Sequence, residues 1–319
     1  WERLKKEISD ILKKTKKYIF ENHKGLPYTL PNFTYNFKQF KKYIDVKCNS
    51  MLNLKSDSLL LKSEIDIDEE LHNFIGRRYK IKQRLGSGKN SDVYYAVDIK
   101  QKEDVVIKLL NAENTDPQRI LEFKNEFLIL KSLDHPLIVK VYDFEYIKKI
   151  DRYYFTMEYI KMPSLANLKF KINTRIAALI IFQVLDFLTY IKSKNLSFFD
   201  ISPNNIMFEL KDLRDVEIKI IDFGFAVKEI TNEIKGTSFF LAPEILINKK
   251  SSPSSDIYSL GILIYHLLTQ KFPFPTDNLD EYLDFIKRKI VIPISQYVPS
   301  IQPKFEKILT KMISFDPEF

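Results

Sequence analysis

Cysteine is almost missing: Cys48 is the only one in 319 residues. No internal disulfide can form, and the disulfide-stapled secreted class is excluded. Histidine is scarce, and His23, His72, His135 and His266 are scattered along the chain, so no zinc-type ligand cluster is expected. Long apolar runs are lacking too. The longest stretches, Ile176 to Val184 and Ile257 to Leu268, are interrupted and fall short of the ~20 residues a membrane span needs, so both read as core helices and no transmembrane segment is expected. The N-terminus does not show the charged, apolar, small-residue order of a secretory signal, and the chain reads as intracellular, with a cytoplasmic location expected. Glycine is the most telling shortage. Average usage of ~7% would give about 22, and the chain has 7. Each one kept is therefore a candidate for a backbone position that other residues fit badly.

What is present is enough for a substantial core. With 45% hydrophobic and 29% charged positions, disorder as the main state is excluded, and the length allows two or three ordinary domains or one large domain with an appendage. Fifty Lys and Arg against 42 Asp and Glu leave a net charge of +8. The excess is mostly Lys interspersed with Ile, Asn, Phe and Tyr, which suits a polyanion surface or reflects a composition bias; the second is preferred, and no specific nucleic-acid partner is expected. In the first 20 or so residues Trp1, Leu4, Ile8, Ile11, Leu12, Tyr18 and Ile19 recur near helical spacing with lysines mostly elsewhere. This predicts a basic amphipathic helix that either meets a partner or anionic membrane surface or docks on the rest of the protein.

Gly25 to Asn36 is punctuated by breakers, and Asn49 to Glu70 is polar, Ser-rich and acidic toward its end, a linker. The expected division is an N-terminal extension over 1–75 and a second domain over 76–319. From Tyr79 short β-branched runs follow one another (93–97, 105–109, 139–144, 153–159) around one helical stretch, 121–133. After Pro163 the pattern is helical, with helices over 174–191 and 256–268 and a short strand over 218–221. The class is therefore α+β, a β-rich part followed by a mainly α part.

Chemistry-bearing motifs lie on this frame. Leu85-Gly86-Ser87-Gly88-Lys89-Asn90-Ser91-Asp92-Val93 has glycines two apart in a strand-turn-strand, which lets backbone N–H groups approach phosphate. Lys108 ends the apolar strand Val105-Val106-Ile107, fifteen positions after Val93, and Glu126 follows eighteen positions later on a helix. Further on stand Ser197-Phe198-Phe199-Asp200-Ile201-Ser202-Pro203-Asn204-Asn205, then Asp222-Phe223-Gly224, then Gly236-Thr237 through Ala242-Pro243-Glu244, then Asp256-Ile257-Tyr258-Ser259-Leu260-Gly261. In order and spacing, residues 79 to 319 resemble the protein kinases, of the Ser/Thr type.

The resemblance implies a two-lobed kinase-like fold with a helical N-terminal extension, and an ATP- and Mg²⁺-dependent enzyme phosphorylating Ser/Thr hydroxyls of protein substrates. Lys108 would pair with the α/β-phosphates and with Glu126; Asn205 and Asp222 would hold Mg²⁺; Asp200 would orient the attacking hydroxyl and take its proton. Leu85, Gly86, Ser87 and Gly88 would cover the phosphates. Glu158 and Ile160 would meet the adenine edge through the backbone, Val93, Val106 and Met207 would sandwich its faces, and Met157 would be the gatekeeper. Val141, Leu130, Phe223 and Phe198 would form an apolar stack based on Asp256.

Four departures bear on activity. The third loop glycine is Ser91, and the alanine usually above adenine is Val106. Phe198-Phe199 replaces the usual His-Arg before the catalytic aspartate, and Ser202 stands where a phosphate-contacting lysine is usual. Phe199, Ser202 and Ser91 favour the alternative of a pseudokinase, a nucleotide-binding or scaffolding module. With Phe199 in place of a cation, a phosphate on Thr231, Thr237 or Ser238 has little to pair with beyond Lys228 and Lys235. Activity is therefore expected not to depend on phosphorylation of that loop. The chain opens on Trp1 and stops at Asp316-Pro317-Glu318-Phe319, which reads as a fragment in which Glu244 lacks its usual arginine partner.

Overall fold

The computed structural model describes residues 2–14, 75, 77–88, 90–111, 116–212, 215–223, 238–248, 252–274, 276 and 279–315. The expected linker, Cys48, and the loop from Gly224 to Thr237 lie outside the described residues. The chain forms two compact units, one of residues 18–120 and 142–159, the other of residues 1–17, 121–141 and 160–319.

The first unit is built on a five-stranded sheet: β1 (Tyr79–Ser87), β2 (Ser91–Asp98), β3 (Glu103–Leu110), β4 (Val141–Ile147) and β5 (Arg152–Glu158), in the order β1-β2-β3-β5-β4. Neighbours β1/β2, β2/β3 and β3/β5 run antiparallel. Strand alternation separates two faces. Val105, Ile107 and Leu109 pack with Tyr79, Ile81, Tyr94, Ala96 and Tyr154 in the core, whereas Val106 and Lys108 point the other way. The β2–β3 turn is tied by Asp98, whose Oδ1 accepts the Lys100 and Gln101 N–H groups at 2.8 and 3.0 Å. Between β3 and β4 runs α2 (Pro117–Ser132), four residues earlier at its start than the apolar pattern predicts, because Asp116 caps it through the Arg119 N–H at 2.9 Å.

The second unit is helical around α3 (Thr174–Ser193) and α5 (Pro253–Thr269), with the hairpin β6 (Ile206–Asp212)/β7 (Asp215–Ile220) and the helices α4 (Pro243–Asn248), α6 (Leu279–Lys287) and α7 (Pro303–Met312). Asn173 caps α3, its Oδ1 accepting the Ile176 N–H at 2.9 Å. This helix corrects the sequence reading in one respect: it is long and apolar enough to cross a membrane by length and composition. Ten of its residues are buried in the unit's own core. A Ser252/Ser255 capping box and Pro253 start α5. Gly261 sits where α5 meets the end of α7: a Cβ there would lie 2.7 Å from Ile313 Cγ2 and 2.9 Å from Met312 Cβ.

The amphipathic N-terminal helix forms as α1 (Glu2–Lys14) and packs on α3 and α7. Ile8 and Ile11 are buried there, and Lys5 Nζ lies 2.6 Å from Asp186 Oδ1. Of the two roles left open by the sequence, docking on the protein is the one the fold uses, so the buried part of the stripe is not offered to a membrane or partner. The α+β class with a β-rich part preceding a mainly α part is as expected.

Candidate functional site

Within the sheet unit, register gathers the residues expected at a nucleotide onto one face. Gly86 pairs with Val93, Val93 with Lys108, and Lys108 with Phe155, one row across four strands. The next row is Tyr95, Val106 and Met157. Lys108 is 8% exposed, and its Nζ lies 5.8 Å from the Phe155 ring centroid. A Cβ on Gly86 would meet nothing within 4 Å, so this position leaves open space beside the row. The Ser87 hydroxyl, by contrast, donates to Asp92 Oδ1 at 2.8 Å. Only the backbone of Ser87 remains for the role expected of it. Leu85 is exposed and sits in a register shift between Arg84 and Gly86. Glu158 ends β5, half-buried.

The helical unit holds the other candidates. Glu126 is buried on α2. Met207 lies on β6, bridged to Ser164, and Ile160 is half-buried just after β5. On the loop before β6, Asn205 Nδ2 donates to both the carbonyl and the Oδ2 of Asp200, at 3.1 and 2.6 Å. Asn205 also ties this loop to the strand end near Asp222, its carbonyl accepting the Ile221 N–H at 3.1 Å. The residue before Asp200 is held in an unusual shape. Phe199 has φ 59°, the left-handed region that bulky side chains avoid. Asp256, 1% exposed, supplies the restraint: its Oδ2 accepts the Phe198 N–H at 3.1 Å and its Oδ1 the Phe199 N–H at 2.7 Å. Burial pushes the Asp256 carboxyl up to about 7, the two N–H groups pulling against it.

All four members of the expected apolar stack are buried, and Phe198 meets Phe223 edge-on at 5.0 Å. Phe187 of α3 joins both rings, at 5.3 and 5.9 Å, a member that helical periodicity alone reads as ordinary core. Glu244 does not stand alone: Ser255 Oγ donates to its Oε1 at 2.6 Å, and Ser252 Oγ lies at 3.5 Å. Two serines at the start of α5 thus meet Glu244, the residue whose usual partner is an arginine.

As donors, Asp222 and Asn205 are hard oxygen ligands of the kind magnesium takes. With Nδ2 of Asn205 given to Asp200, its Oδ1 is the oxygen left for a cation.

The chain was also compared with known proteins. A family model described as protein kinase domain matches residues 79–319. A probable serine/threonine-protein kinase of Streptomyces coelicolor is 30% identical over 260 residues, covering 77% of this chain and 38% of that protein. The serine/threonine-protein kinase PrkC of Bacillus subtilis is 29% identical over 253 residues, covering 76% of this chain and 38% of its own length. Calcium-dependent protein kinase 5 of Plasmodium berghei is 29% identical over 242 residues, 74% of this chain and 42% of that protein. The chain thus spans well under half the length of these relatives.

Proposed function

The chain belongs to the protein kinase family, and from that premise we propose that it is an ATP- and Mg²⁺-dependent kinase of serine and threonine hydroxyls on protein substrates. The observation that carries this reading is Asp200 bonded to Asn205 on a loop that Asp256 holds from behind. Asp200 takes the proton of the substrate hydroxyl while its oxygen bonds to the γ-phosphorus. The bond from that phosphorus to the β-bridging oxygen breaks, and ADP leaves with the electron pair. Lys108 binds the α/β-phosphates, the role that in the family's pattern goes with the glutamate at Glu126. Asn205 and Asp222 hold the magnesium, which when bound neutralises phosphate charge. In the sheet unit the backbone from Leu85 to Gly88 covers the phosphates, and Val93, Val106, Met157 and the Glu158 backbone meet the adenine; in the helical unit Met207 and the Ile160 backbone are the residues given that role. We place this activity in residues 76–319, with 1–75 as an extension, and in the cytoplasm, where ATP is supplied.

The test is purified protein with labelled ATP and Mg²⁺, followed for autophosphorylation and for label on a generic basic protein. Transfer that is lost in Asp200→Asn supports the proposal. The second reading, a pseudokinase, is favoured by Ser202, buried where a lysine is usual. It would show as a melting temperature raised by ATP and Mg²⁺ with no transfer to either acceptor.

A further inference from the structure

The glycine-bearing turn is held by a polar clasp on the side of the sheet opposite the nucleotide face. Register places Ser87 opposite Asp92, Asp92 opposite Leu109, and Leu109 opposite Tyr154. Leu109 and Tyr154 belong to the core cluster, so this row lies on the core face, behind the row of Gly86, Val93 and Lys108. On it, Asp92 Oδ1 accepts Arg84 Nη2 at 2.5 Å and Ser87 Oγ at 2.8 Å, while Arg84 Nη2 also donates to Ser87 Oγ at 2.9 Å. Asp92 Oδ2 lies 3.6 Å from Arg152 Nη2. Arg152 comes from β5, two strands away, and its Nε donates to the Leu110 carbonyl at 2.8 Å. One carboxylate therefore links β1, β2 and β5, and Arg152 adds the end of β3.

The turn needs such a device. Beyond Ile81 every side chain of β1 is exposed, so no apolar packing fixes the end that carries Gly86. Pairing to β2 shifts register between Arg84 and Gly86, the point that the Arg84–Asp92 bond spans. Gly86 and Gly88 add conformational freedom on either side of Ser87. The tip beyond has its own ties: the Gly88 N–H donates to the Ser91 carbonyl at 2.9 Å, and Asn111 Nδ2 donates to the Gly88 carbonyl at 3.0 Å. The first closes the turn on itself and the second ties its tip to the residue after β3, but neither reaches the end of β1. Arg152 and Asp92 are largely shielded from solvent, with side chains 9% and 13% exposed, so their attraction is screened less than that of a surface pair. Burial works against ionisation of Asp92, but the Arg84 and Ser87 hydrogen bonds and the charge of Arg152 outweigh it and hold the carboxyl below its usual range.

We propose that Asp92 is a positioning residue for the nucleotide: through Arg84, Ser87 and Arg152 it fixes the glycine-bearing turn from the core face and so presents the turn's backbone to the phosphates without touching them. This rests on the kinase reading above.

Amide hydrogen exchange on the full chain without nucleotide tests the clasp independently of catalysis. Asp92→Ala should speed exchange over residues 84–91 by roughly tenfold while α5 keeps its protection, and Asp92→Glu should restore much of it. If Asp92→Ala fails to fold, Arg84→Gln gives the same readout. Binding of a fluorescent ATP analogue with Mg²⁺ should weaken by roughly tenfold in the same variants, with KM for ATP rising more than kcat falls. Unchanged exchange over 84–91 in the folded variants overturns the clasp, and faster exchange with unchanged analogue affinity overturns its role in positioning. A wild-type chain that binds no analogue sinks the kinase reading, while the exchange result still decides the clasp.

Discussion

Asp256 makes the stability of the helical unit depend on pH in a direction opposite to that of most carboxylates. Its carboxyl is 1% exposed and accepts two backbone N–H groups, yet burial raises it from 3.8 to about 7. The folded chain therefore holds a proton there that the unfolded chain has released, throughout the window between those values. Stability from this group is full below about pH 4 and is lost as pH rises through 7, by roughly 4 kcal/mol in all at about 1.4 kcal/mol per pH unit. Between pH 5 and 8 roughly 2–3 kcal/mol of that loss should be visible. The reference is Asp256→Asn, which keeps a carbonyl for one of the two N–H groups and cannot titrate. Urea unfolding of both proteins at pH 5, 6, 7 and 8 isolates the group, because the remaining carboxylates cancel in the difference. The stability of wild type minus that of Asp256→Asn should fall over this range and flatten above about pH 7.5. Parallel curves would refute the argument. The same series bears on the site: Asp256 holds Phe199 at a φ that costs about 1–3 kcal/mol, so a weakened hold loosens the residue next to Asp200.

Four further outcomes are expected. Lys108→Ala should leave the melting temperature within a few degrees of wild type and reduce phosphoryl transfer by orders of magnitude, checked by unfolding and by labelled-ATP assays side by side. Gly261→Ala should lower stability by up to about 2 kcal/mol, since overpacking against Met312 and Ile313 costs about 1–3 and the gain in helix propensity returns only about 1; a thermal melt decides the sign. Removing residues 1–14 should lower the melting temperature clearly, as Ile8 and Ile11 each bury side chains worth about 1.5–3 kcal/mol, whereas Asp186→Asn should cost under about 1, because that partner of Lys5 is half exposed. Phosphatase-treated protein should keep its transfer rate and Thr231→Ala should be near neutral; a large loss restored by rephosphorylation would show that the loop is charge-ordered after all.

Part of this architecture is legible in the sequence, and physics separates that part from the rest. Asp200 and Asn205 stand out in the sequence by the short, fixed spacing of the motif they share, and the structure brings the two side chains together. The strands over 105–109 and 153–159 are legible as short β-branched and aromatic runs; both are buried on both faces, so the signal is the run itself and not alternation. The clasp is not, because Arg84, Asp92 and Arg152 are brought together by register across strands, and each alone is an ordinary charged residue on a strand. The serine contacts of Glu244 are hidden for a related reason: Ser252 and Ser255 announce a helix cap, and nothing in a capping pattern says that a glutamate eleven positions earlier will share it. Helix α7, by contrast, carries the full helical pattern, with Phe305, Ile308, Leu309 and Met312 buried at i, i+3, i+4 and i+7, so periodicity alone is enough to find it.

The same separation explains how the loop before Asp200 tolerates its departures. A strained backbone needs a restraint, and here the restraint does not come from the two side chains that differ. Asp256 grips the N–H groups of Phe198 and Phe199, which any residue would offer. What the substitution changes is the lining: Phe198 presents an apolar ring to Phe187 and Phe223 at 5.3 and 5.0 Å, and Phe199 is buried beside Asp200. The loop's shape is thus set by backbone hydrogen bonds and its setting by aromatic packing. Its geometry should therefore survive high salt, whereas the charged clasp behind the glycine turn, with Arg84 at its exposed end, should weaken as ionic strength rises.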